Sequence, residues 1–144
     1  MITNTALSII LTLVGLVASA LVAKTYFNAG KFKLTGDKPA FAAAQFGWAE
    51  KTPLGAIRVL GLLEILGAVG SIIAPIAALI TGQVFIQLLG VAAAAGLALV
   101  MVAAMILHQA RGESKYTFKM NFKLFWPAVV AAVAYALVVL PLQF

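Results

Sequence analysis

Four long stretches of this chain are apolar on every helical face, and its charged positions gather between them. Residues 6–23 give about eighteen uncharged, mostly apolar residues, the length of a spanning helix. Residues 56–80 are apolar except for Arg58 and Glu64, and residues 84–107 hold only Gln87 as a strongly polar member. Residues 124–142 carry no charge. Each run covers the roughly 30 Å of bilayer hydrocarbon at 1.5 Å per residue. The pattern predicts an all-α, integral membrane four-helix bundle forming a single transmembrane domain. Its helices are expected at about 5–24, 56–80, 84–108 and 124–142, with interfacial loops at 25–55 and 109–123. Thr81-Gly82-Gln83 is a tight turn, so the second and third helices are expected to be antiparallel neighbours.

Composition agrees. Hydrophobic residues make up 64% of the 144 and charged residues 10%, against roughly 25% charged in soluble domains. A soluble fold of this length could not hide that much apolar surface, so lipid is the expected solvent. No Lys or Arg precedes the first run, unlike the basic opening of a cleaved signal peptide, and a retained first helix is expected. The absence of cysteine excludes thiol–disulfide chemistry, cysteine nucleophiles and thiolate-held clusters within this chain.

Charge then orients the bundle. The first connection carries Lys24, Lys31, Lys33, Lys38, Lys51 and Arg58, and the third carries Arg111, Lys115, Lys119 and Lys123. These account for all 10 cationic side chains, while the 81–83 turn and both termini have none. The positive-inside rule places the basic face in the cytoplasm and both termini outside, in an inner membrane. The net charge of +6 thus reads as a topology signal and an attraction to anionic headgroups, not as a nucleic-acid footprint.

The basic loops are patterned. Phe41, Gln45 and Trp48 recur at helical spacing, which suggests a short helix lying in the headgroup layer. Residues 115–123 alternate Lys, Thr and Asn with Tyr, Phe and Met; alone this reads as a strand, and beside a membrane as a Lys–aromatic anchor. Trp126 and Pro127, the latter expected to start the fourth helix, complete it.

Small residues mark the packing faces, because apolar side chains gain little by leaving lipid. Gly15, Ser19 and Ala23 form one such stripe, and Gly90 and Ala94 another. Gly61, Glu64, Ala68, Ser71 and Pro75 form a third, which turns Glu64 inward; Pro75 is expected to bend its helix. Glu64 lies six residues past Arg58, roughly 9 Å along the helix. A carboxylate there costs several kcal/mol unless protonated, paired or hydrated, which makes it a functional candidate. The plainer reading is a structural contact, with Glu64 neutral or held by Tyr135, a lysine or a backbone carbonyl.

His108 with Met101 and Met105 shares one face, a weak soft-metal pattern that filler methionines and the helix dipole explain better; no metal is assigned. The expected cluster at the basic end is Glu64, Arg58, His108, Arg111 and Glu113. It could hold the polar head of a quinone or another lipophilic molecule, or equally lock the helices together. No nucleophile triad, phosphate loop or zinc-hydrolase motif is present, so no catalytic residue is assigned.

Three stretches resemble the DoxX-like family of small four-helix membrane proteins. They are Phe27-Asn28-Ala29-Gly30-Lys31-Phe32-Lys33-Leu34, the run from Arg58 to Ala68 with Pro75 beyond it, and Gly96 to Met101 followed by His108, Arg111, Gly112 and Glu113. The resemblance implies a subunit of the kind linked to thiosulfate:quinone oxidoreduction or membrane redox complexes, or an assembly chaperone or cargo receptor. It carries Lys31, Arg58, Glu64, His108 and Glu113 over as a polar site. The expectation is an accessory subunit, not an enzyme by itself, that binds a lipophilic ligand (quinone or lipid) or a membrane-protein partner. The alternatives are a quinone-linked oxidoreductase subunit and an assembly factor, with oligomerisation open.

Overall fold

The first apolar run does not stop where its charges begin. In the computed structural model, which describes residues 5–140, helix α1 spans Thr5–Thr35. Its 31 residues reach about 46 Å, well beyond the hydrocarbon thickness. Nothing breaks the helix before Gly36, and the buried face Val22, Tyr26, Gly30 and Lys33 continues at steps of four, four and three. The interior therefore holds α1 together past the point at which lipid no longer surrounds it.

The connection that follows is a folded cap. Asp37 accepts a hydrogen bond from the Ala40 N–H at 2.9 Å and starts helix α2, Lys38–Ala43, with Pro39 in its first turn. Helix α2 ends before Gln45, which takes a left-handed φ of 61°, and one 3-10 turn follows at Gly47–Ala49. The single headgroup helix expected from Phe41, Gln45 and Trp48 is thus broken in two. Phe41 turns inward, where it meets Phe32 edge-on at 5.3 Å and stacks on Phe46 at 6.3 Å. Ala49 and Ile57 complete this small core. The Lys38 ammonium donates to the carbonyls of Ala49, Glu50 and Thr52 and so closes the cap.

Helix α3, Leu54–Thr81, and helix α4, Val84–Ala110, form the expected hairpin. Gly82 ends α3 with φ 68°, a left-handed turn that glycine adopts without a Cβ penalty. Helix α5 spans Ser114–Val139 and begins about ten residues before the fourth run, so the segment read as a strand or anchor is helical. Its lysines recur every four residues as well as alternating, which suits one helical face. The aromatics obey the same spacing: Phe118 stacks on Phe122 at 5.4 Å, and Phe122 meets Trp126 edge-on at 5.5 Å. Pro127 therefore lies inside α5 and does not open it.

The long helices pack in a square, α1 and α4 each touching both α3 and α5. All four are long and apolar enough to cross a membrane. Close contacts set the geometry. A Cβ on Gly90 would stand 2.8 Å from the Pro75 ring, and one on Gly15 would enter the Tyr135 ring at 2.2 Å.

Candidate functional site

Helices α1 and α3 meet backbone to backbone. A Cβ on Gly30 would lie 2.5 Å from the Gly61 carbonyl oxygen, and one on Gly61 2.6 Å from that of Gly30. One turn further along α1 sits Lys33, whose side chain, like every helical side chain, leans toward its helix N-terminus. One turn further along α3 sits Glu64. The lean of one and the position of the other bring the Lys33 Nζ to 2.9 and 2.7 Å from the two carboxylate oxygens. Lys33 is 6% exposed and Glu64 2%. The Phe46 ring of the cap covers the ammonium at 5.9 Å.

Neighbouring contacts fix the height of this pair. The Tyr26 hydroxyl reaches the carbonyls of Leu97 at 3.2 Å and Leu124 at 3.3 Å, so α1, α4 and α5 are level there. Because Gly61 faces Gly30, Glu64 lies near the level of Phe27, within roughly 5 Å of Lys24 along the bundle. The carboxylate is thus inside the protein near the border that the outward lysines mark on α1. Asn121, one turn from Leu124 toward the basic end, is also buried, at 3% exposure. Its amide nitrogen has no hydrogen-bond partner.

The expected cluster separates into distinct places. His108 and Arg111 join Glu113 at the α4–α5 turn: His108 Nδ1–H donates to one carboxylate oxygen at 2.7 Å and Arg111 Nε–H to the other at 2.7 Å. These hydrogen bonds, His108 first, hold the Glu113 carboxyl below its usual range. Gly47 of the cap packs against this group, since a Cβ there would meet the Arg111 guanidinium at 2.8 Å. Arg58 and Lys31 are exposed and face away from Glu64. Tyr135 belongs to the other half of the bundle. Its hydroxyl lies 3.2 Å from Ser19 Oγ and donates to the Ser71 carbonyl at 2.7 Å, about two turns from Glu64. Gln87 donates to the Tyr135 carbonyl at 3.1 Å. Met101 is core, against Val22 and Tyr26. Among the described residues no group of three or more metal-ligating His, Asp or Glu side chains comes together.

Lys33, Asn121 and Phe46 were not singled out from the sequence. Lys33 had a visible signal, since it extends the buried stripe of Gly15, Ser19, Val22, Tyr26 and Gly30 that Lys31 leaves. Asn121 was masked by the alternating pattern of its neighbours.

No curated protein and no solved structure matches the chain. The sequence profile of the DoxX-like family matches residues 17–138, which take in most of α1, the cap and the other three long helices. With its glycine–lysine segment on α1, its buried acid on α3 and the His108–Glu113 turn, this chain belongs to the DoxX-like family.

Proposed function

We propose that the protein is an accessory membrane subunit that receives the polar head of a lipophilic molecule, a quinone or a lipid, at the Lys33–Glu64 layer. The observation that carries this reading is a buried ion pair at the basic end of the bundle interior. Such a pair adds little net stability over apolar packing, so its presence asks for another role. The buried Asn121 amide without a partner supplies a further donor at the same end. Exposed Lys24, Lys31, Lys119 and Lys123 favour an inner-membrane topology with the basic cap in the cytoplasm and both termini outside.

A second reading has its own support. Lys33 already satisfies both oxygens of Glu64, as a lock between α1 and α3 would. The chain would then be an assembly factor presenting a rigid face to another membrane protein. Participation in quinone-linked oxidoreduction would require a redox partner, which holds the electron carrier.

Native mass spectrometry with lipid extraction separates these readings. Wild type, Glu64→Gln and the apolar pair Lys33→Met/Glu64→Leu are purified in detergent. A stoichiometric quinone or lipid lost from both variants, with helicity kept, supports the binding site. Proteins empty of lipid throughout, with Glu64→Gln less stable than wild type and the apolar pair close to it, reject the site in favour of the lock.

A further inference from the structure

An apolar groove of about 540 Å³ runs between the outer faces of α1 and α5. Leu13, Val17 and Leu21 form one wall, and Trp126, Pro127 and Val130 the other. It opens sideways into the region that lipid occupies, since Val17 is 63% and Leu21 72% exposed. Two cations continue the line of its walls toward the basic end. Lys24 follows Val17 by seven residues and Lys123 precedes Val130 by seven, so each sits in line with a groove wall on its own helix. Both are exposed. The level contacts of Tyr26 with Leu124 place them within about one turn of each other in height. Trp126, at that same border, is the interfacial aromatic. Neither α1 nor α5 contains an acidic residue, so nothing on this face neutralises the lysines; the one buried lysine of α1, Lys33, turns to the opposite side and is paired with Glu64.

The geometry points to a site for one anionic phospholipid from the leaflet on the basic side. An acyl chain lies in the groove between Val17 and Val130, and the phosphate is held between Lys24 and Lys123. Charge complementarity selects this occupant. A zwitterionic lipid brings its own cation to the two ammoniums, and a neutral apolar helix from a partner would leave both lysines unmatched. Lys31 and Lys119 extend the same positive face beyond the headgroup and add attraction without touching the chain. This site is separate from the Lys33–Glu64 layer and does not rest on the function proposed for it.

The test titrates detergent-purified, delipidated protein with phosphatidylglycerol or phosphatidylcholine of identical acyl chains and counts bound lipid by native mass spectrometry. Wild type should hold one phosphatidylglycerol in preference to phosphatidylcholine. Lys24→Gln/Lys123→Gln should lower phosphatidylglycerol affinity roughly tenfold, while Lys51→Gln/Lys115→Gln, which removes the same charge elsewhere, should not. Val17→Trp, which fills the groove, should weaken binding of both lipids. All of these positions are exposed, so helicity and melting temperature should match wild type. Equal binding of the two lipids by wild type, or equal loss in both lysine pairs, overturns the site. A dimer that Val17→Trp dissociates, with no lipid bound, overturns it in favour of a second copy. The phosphatidylglycerol that Lys24→Gln/Lys123→Gln releases should differ from any molecule released by Glu64→Gln, so failure here and failure at the buried pair are read independently.

Discussion

The hydroxyl of Tyr135 donates to the carbonyl of Ser71, the group that Pro75 deprives of its helical donor. A proline at 75 removes the N–H that would bond to the carbonyl four residues earlier. That carbonyl is buried, and an unsatisfied one in an apolar bundle costs energy. A side chain from α5 thus completes α3, and the proline becomes a point of attachment between them.

Tyr135→Phe should therefore lower stability by about 1–3 kcal/mol, read as a drop in melting temperature in detergent. In a Pro75→Ala background the helix supplies its own donor, and the same change should cost less. A double-mutant cycle with no coupling would show that the two residues act separately.

The buried ion pair should behave asymmetrically. Removing one partner, by Lys33→Met or Glu64→Leu, should destabilise by about 3–5 kcal/mol because it strands the other. The double variant should recover most of that loss. Denaturant unfolding of the four proteins measures this, and singles no worse than the double would contradict the pairing.

Gly30→Ala should separate α1 from α3, since its Cβ would meet the Gly61 carbonyl oxygen, which cannot swing aside as a side chain could. A loss of about 1–3 kcal/mol is expected. Gly55→Ala, on the same helix as Gly61 but with open space around it, should be tolerated. Thermal unfolding compares the two.

The α4–α5 turn should respond to acid. Folding holds the Glu113 carboxyl below its ordinary value, so its contribution is complete above about pH 4.3 and is lost as pH falls through the folded value. The protection of amides 112–116, taken relative to their intrinsic exchange at each pH, should therefore stay constant on this account at neutral pH and fall in acid, and Glu113→Gln should show no such fall.

The four spans and their hairpin were legible because apolar length is a direct consequence of bilayer thickness. Glu64 was legible for the same reason, since its stripe of small residues aimed it inward. Its partner was harder to find. The arginine and histidine nearest in sequence logic, Arg58 and His108, belong to other surroundings, whereas Lys33 becomes a neighbour only because α1 continues beyond lipid and crosses α3 at Gly30 and Gly61. Charge marks where lipid ends, not where a helix ends, and α1 and α5 both exceeded their apolar runs on that account. The cap escaped notice because its core depends on Gln45 taking a left-handed turn, which folds Phe41 back on Phe46.

The crossing of Gly30 and Gly61 also places the apolar belts of neighbouring helices out of step. On α1 the outward charges begin at Lys24, whereas on α3 they begin at Arg58, which the crossing sets near the height of Lys33. Between those heights α3 still offers Val59, Leu62 and Leu63 to lipid. The two borders differ by about nine residues, or roughly 14 Å. An upright molecule in a flat bilayer would either drown the lysines of α1 or strand the leucines of α3. Leaning brings the two borders together, with the α1–α5 side shifted toward the basic face and the α3–α4 side toward the terminal one, and lysines that extend along their apolar stems make up what tilt alone does not.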